Sequence, residues 1–178
     1  MKNKNQQFLI KTGVICLFFA LLLSCGYTFA PQGEYIDKRI TTVYVQSFEN
    51  KTSQAELENY VRTAFIDQFI LSGRFKIVQN VESADAIIKG SVLNINTSPL
   101  SYRANTLVAE ERATMILDIN FREKESGKTI WSSKNLTGQV DYKMVDNINM
   151  FPATRKNAFI KLSNDTAEKA FNMMMSGF

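Results

Sequence analysis

The chain predicts an α+β domain, a two-layer α/β sandwich in which two helices pack on one face of a mainly antiparallel sheet of four to five strands. Three observations carry that reading. A capped amphipathic stretch follows residue 53, a second lies near the C-terminus, and between them one segment alternates strictly between apolar and polar residues.

Residues 40–48 open the domain with a β-branched and aromatic run, Ile40-Thr41-Thr42-Val43-Tyr44-Val45, which reads as a strand. Ser53-Gln54-Ala55-Glu56 has the form of a capping box, with Ser53 as N-cap and Glu56 reaching back. Leu57, Val61, Ala64, Phe65 and Gln68 then recur at helical spacing, and Gly73 supplies the stop. Residues 75–79 make a short strand and residues 86–97 a longer one, with Gly90 marking a bulge or a close approach. Residues 98–105 read as a loop around Pro99.

Ala113, Met115, Leu117, Ile119 and Phe121 alternate with Thr114, Ile116, Asp118, Asn120 and Arg122, as in a sheet covered on one side only. A turn at residues 125–128 leads to a last strand over 130–142, polar on one side through Ser133, Asn135, Thr137 and Gln139. A helix begins at Pro152 or Thr154 and runs to about Met174, its apolar line being Phe159, Leu162, Thr166, Ala170 and Met173. The closing methionines suit adaptable packing against the sheet.

The composition narrows the function. With 178 residues, 45% of them hydrophobic and 21% charged, the chain is neither a disordered tract nor a multi-pass membrane protein. The absence of His removes the commonest general base and metal ligand. No Ser precedes a Lys by three, and no glycine pattern cradles a phosphate. Asp85 reads as a turn or cap residue, and Glu110-Glu111-Arg112 as a solvated or loop-edge cluster whose neighbouring carboxylates cannot converge. We expect no enzyme, cofactor or metal.

The first residues carry an address. Lys2, Lys4 and Lys11 precede the apolar run from Val14 to Leu23, which is too short to span a bilayer needing roughly 20 residues. Leu22-Leu23-Ser24-Cys25 resembles the lipobox of bacterial lipoproteins, which implies a signal peptide over 1–24 and palmitate or related acylation at Cys25. The other reading is an ordinary signal peptide with a chance Cys. Cys16 leaves with the signal, so Cys25 keeps no disulfide partner. Cleavage also leaves 18 basic against 17 acidic residues, which removes the electrostatic case for nucleic acid. Residues 25–39 would tether a single domain over 40–178.

Several segments together form a further pattern. Cys25-Gly26-Tyr27-Thr28-Phe29 leads into Val43-Tyr44-Val45-Gln46-Ser47-Phe48-Glu49-Asn50, then Ser72-Gly73-Arg74-Phe75, Ala84-Asp85-Ala86-Ile87-Ile88-Lys89-Gly90 and Ser98-Pro99-Leu100-Ser101-Tyr102. Over essentially the whole mature chain this resembles the LptE family of lipopolysaccharide-assembly lipoproteins. The resemblance implies a non-enzymatic plug and assembly partner inside the LptD β-barrel of the Gram-negative outer membrane, with lipopolysaccharide as a ligand. It places the basic contact at Arg103, after Tyr102; Lys134 and Lys143 join them from charge and strand position. Gly26 lacks the aspartate that retains lipoproteins at the inner membrane, so the outer membrane is the expected address. Three other readings stand beside this one: a periplasm-facing module regulating a cell-wall synthase or secretion complex, a carboxylate enzyme, and a surface lipoprotein without a barrel partner.

Overall fold

The computed structural model describes residues 36–103, 108–145 and 147–177. Cys25, the signal segment and most of the tether lie outside them. The elements are β1 (Thr42–Val45), β2 (Glu49–Asn50), α1 (Leu57–Leu71), β3 (Lys76–Ile77), β4 (Ala86–Tyr102), β5 (Val108–Glu123), β6 (Thr129–Lys143), a short 3-10 turn (Ile148–Met150) and α2 (Phe151–Ser176). Both helices lie on one face of the sheet, as the patterning predicts.

The sheet has six strands and is mixed rather than mainly antiparallel. β4, β5 and β6 form an antiparallel meander. β1 lies between β3 and β4 and runs parallel to both, and β2 pairs parallel with β4. The cause is the connection: α1 carries the chain back along the sheet after β1 and β2, so β3 starts from the same end as β1.

Three local expectations change. Ser53 does not cap α1. Glu56 occupies the cap position with φ of 68° and no side-chain cap bond, and accepts instead from the Tyr60 hydroxyl at 2.6 Å. Asn50 organises the approach: its Oδ1 accepts from Thr52 N and Oγ1, while Nδ2 donates to Gln54 O and Glu58 Oε2. Second, β4 continues through the expected loop to Tyr102. Beyond Val92 it has β5 as a neighbour but neither β1 nor β2, so the missing N–H of Pro99 breaks no ladder on that side. Third, Ile36, near the end of the expected tether, is buried and belongs to the core with Ile40 of the domain.

The core is aromatic at its centre. Phe69 meets Phe75, Phe121 and Phe171 with ring centroids 5.3, 5.7 and 5.2 Å away, and Phe48 stacks on Phe65 at 5.3 Å. Burying each such side chain is worth about 1.5–3 kcal/mol. Gly90 marks the expected close approach: a Cβ there would stand 2.3 Å from Asp118 O and 2.7 Å from the Phe48 ring. Met174 and Met175 are buried, in keeping with a packing role.

The two helices run parallel. Glu56 and Lys156 approach at their N-terminal ends, and Phe69 meets Phe171 towards their C-terminal ends. The folded body formed by the described residues therefore has two distinct ends. One holds both helix C-termini, Ile36 and the β5–β6 turn. The other holds the α2 N-terminus and the β4–β5 hairpin end. Seventeen residues of β4 separate them, about 50 Å at roughly 3.3 Å per residue.

Candidate functional site

The hairpin end gathers three of the expected residues. Tyr102 is the last residue of β4, pairs with Val108 and is 63% exposed. Arg103 follows, half-buried, and its Nη2 donates to Met144 O at 2.6 Å. Met144, itself buried, donates its N–H to Ala109 O at 2.9 Å. Arg103 is thus strapped to the chain leaving β6. Lys143 is exposed and stands opposite Glu110, which in turn accepts from Ser101 Oγ at 3.3 Å.

Lys134 is not part of this group. It precedes Lys143 by nine residues on β6, about 30 Å along the strand. A bulge interrupts β6 there: Leu136 faces Leu117 and Ser133 faces Ile119, so the intervening residues have no single partner. Asn135 takes φ of 53°, and its N–H donates to Asp118 Oδ1 at 2.8 Å. The bulge also divides the expected polar row. Thr137 and Gln139 lie exposed opposite Ile116 and Thr114 on the face away from the helices, whereas Ser133 pairs with buried Ile119.

Lys134 instead borders a groove of about 470 Å³ on the helix-free face, with Lys89, Glu49, Ser91, Asp118, Asn120 and Ser132. Glu49 accepts from Ser91 Oγ at 3.0 Å and pairs with Lys51 at 3.2 Å, and these contacts hold its carboxyl below the ordinary glutamate range. The groove is polar and open, with charges of both signs.

Under the hairpin lies a group that sequence reasoning misassigned. Glu111 is 5% exposed, not solvated, and the Arg155 guanidinium grips it from α2 with Nε and Nη2 at 3.1 and 2.7 Å. The Tyr142 hydroxyl donates to the same carboxylate. Arg155 holds the Glu111 carboxyl below its ordinary range, against the opposing effect of burial. Burial, then the neighbouring carboxylate, push the Tyr142 phenol up to about 12, and Arg155 is raised in turn. The signal was available: extending the β5 alternation back from Ala113 puts Glu111 on the buried face, and a carboxylate there demands a partner. The network clamps the start of α2 to β5 and β6.

Asp85 is a backbone staple. Its Oδ2 accepts from Thr41 N at 2.9 Å, Thr42 N at 2.8 Å and Thr41 Oγ1 at 3.1 Å, which holds the carboxyl at about 2. These bonds tie the start of β1 to that of β4, a long-range staple in place of the local turn or cap role expected for it. Among the described residues no group of three or more acidic or Cys side chains is placed to hold a metal ion.

The family model described as lipopolysaccharide-assembly, LptE, matches residues 40–174. A comparison with curated proteins gives no match. Among solved structures, a protein from Xanthomonas campestris superposes with a TM-score of 0.50 at 10% identity, over 77% of this chain and 84% of that one, which shows a shared fold. An uncharacterized lipoprotein B from Nitrosomonas europaea aligns at 14% identity and TM-score 0.48, covering 85% of this chain and 92% of its own. A PelC dodecamer subunit from Paraburkholderia phytofirmans aligns at 15% identity and TM-score 0.48, over 83% and 96%.

Proposed function

The chain belongs to the LptE family of lipopolysaccharide assembly, and from that premise we propose that it is a lipid-anchored plug of an LptD-like outer-membrane barrel. In this reading residues 1–24 are removed and Cys25 is acylated. The folded body then stands in the hydrated barrel lumen, and the hairpin end meets lipopolysaccharide on its way to the outer leaflet. The protein acts by binding and shape, without catalysis.

The observation that carries the reading is the helix-free face of the sheet. β4, β5 and β6 present Asn96, Thr114, Gln139 and Arg112 there, with Arg112 and Asp141 bridged at 2.6 Å. Such a surface suits the polar interior of a barrel, where alternating strand residues face the lumen. A body about 50 Å long exceeds the roughly 30 Å hydrocarbon core, so a domain anchored at one end can carry its far end across the barrel.

Arg103 is the residue assigned to lipid A phosphate, since a guanidinium fork donates paired hydrogen bonds to phosphate oxygens. Tyr102 and Lys143 stand on the same end. Lys134, some 30 Å away along β6, belongs on this reading to the lumen-facing groove. Mild detergent extraction tests the proposal: the protein should co-purify with a large outer-membrane barrel. Recovery of the protein alone, with barrel assembly undisturbed when it is deleted, would refute the plug role.

A further inference from the structure

We propose that Ile70 and Leu71, at the C-terminal end of α1, form a second contact with the phospholipid surface beside the acylated N-terminus. The inference rests on the reading that Cys25 carries lipid. The inward residues of α1, Leu57, Val61, Phe65 and Phe69, are fully buried, yet Ile70 and Leu71 are 57% and 77% exposed. A single exposed apolar side chain needs no explanation. Two in succession on a closing turn without a basic residue are different, because that position ordinarily favours a cation.

Their place in the molecule supplies the occupant. The Arg74 guanidinium, just beyond α1, donates to Ile36 O at 2.8 Å. The first described residue of the chain is therefore tied to the segment just beyond the turn that carries Leu71. Ten residues lie between Cys25 and Ile36, a reach of at most about 40 Å when fully extended. A lipid held on Cys25 thus keeps the membrane surface within that reach of Ile36, while the hairpin end lies about 50 Å off along β4. Lys38 and Lys76 are exposed at the same end and suit anionic headgroups, whereas Arg39 is paired with Asp37 at 2.7 Å. Asp67, exposed one turn before Leu71, marks where the helix surface becomes polar and limits the contact to a shallow one.

The test uses the full lipidated protein in vesicles of phosphatidylethanolamine and phosphatidylglycerol, without the barrel. Leu71→Cys and Tyr102→Cys variants are each labelled with an environment-sensitive fluorophore; acylation blocks the Cys25 sulfur, so each label has one site. The label at position 71 should shift to the blue and be quenched several-fold more by nitroxide-bearing lipids than the label at 102. Equal, water-like behaviour of both labels with Cys25 acylated would overturn the contact alone. Water-like behaviour with a bare Cys25, read by mass spectrometry of the same sample, would remove the lipid-anchor premise and the contact with it. Shielding of position 71 only after the barrel is added would replace the lipid by a protein neighbour and equally overturn the proposal.

Discussion

Gly138 on β6 lies directly beneath Thr166 of α2: a Cβ at this glycine would stand 1.8 Å from the threonine Oγ1 and 3.0 Å from its Cβ. Thr166 is buried and its hydroxyl donates to Leu162 O at 2.6 Å, so neither partner has room to yield. Gly138→Ala should therefore push α2 off the sheet and cost about 1–3 kcal/mol, the usual range for overpacking. Adding Thr166→Ala removes the nearest atom and should restore part of the loss. Urea midpoints of the single and double variants check this; a silent Gly138→Ala would contradict the packing.

The Glu111–Arg155 pair makes a second prediction. Arg155→Ala leaves a nearly buried carboxylate held by the Tyr142 hydroxyl. The expected loss is about 1–3 kcal/mol, below the figure for a fully buried pair because the Arg155 side chain is 44% exposed. Glu111→Gln in the same background should recover stability by removing the stranded charge. Equilibrium unfolding of the two variants decides it.

Acid stability follows from the same carboxylate and from Asp85. Both have folded-state pKa values below their unfolded ones. Their stabilisation is therefore fully present above the unfolded carboxylate range, near pH 4–5, and fades as pH falls through the folded values. For Asp85 that fading extends to about pH 2. Asp85→Asn should flatten the dependence of the unfolding midpoint between about pH 4 and 2. A parallel slope in variant and parent would show that the staple to Thr41 and Thr42 does not contribute.

At the hairpin end, Arg103→Glu should weaken binding of purified lipopolysaccharide about tenfold or more, since hydrogen bonds to charged groups are worth about 1.5–3 kcal/mol. Arg103→Lys keeps the charge but loses the fork, and should fall between the two. Because Arg103 also holds Met144 O, unfolding midpoints must accompany the binding curves. Unchanged binding by a folded Arg103→Glu protein would remove the phosphate assignment.

The legible parts of the fold were those governed by periodicity. The β5 alternation, the α2 apolar line and the close approach at Gly90 each follow from local side-chain chemistry. Features set by distant partners were not legible. Ser53 lost its capping role because Asn50 wound the preceding turn through four hydrogen bonds. The parallel pairing of β1 depended on where α1 delivered the chain. Pro99 could remain in β4 because β1 and β2 end lower on the sheet. At the site, Tyr102, Arg103 and Lys143 share one end because β4 and β6 both finish beside the start of β5. Lys134 carries the same charge but stands about 30 Å from them along β6, a distinction that charge and strand position alone do not draw.

The most direct test of the central claim is photo-crosslinking in intact cells from position 139, on the helix-free face. A photoreactive residue in place of Gln139 should yield one adduct with a large outer-membrane barrel, and the same group in place of buried Leu162 should yield none from protein that still folds. A position-139 protein that stays uncrosslinked, while abundant and membrane-bound, would contradict enclosure of this face by a barrel.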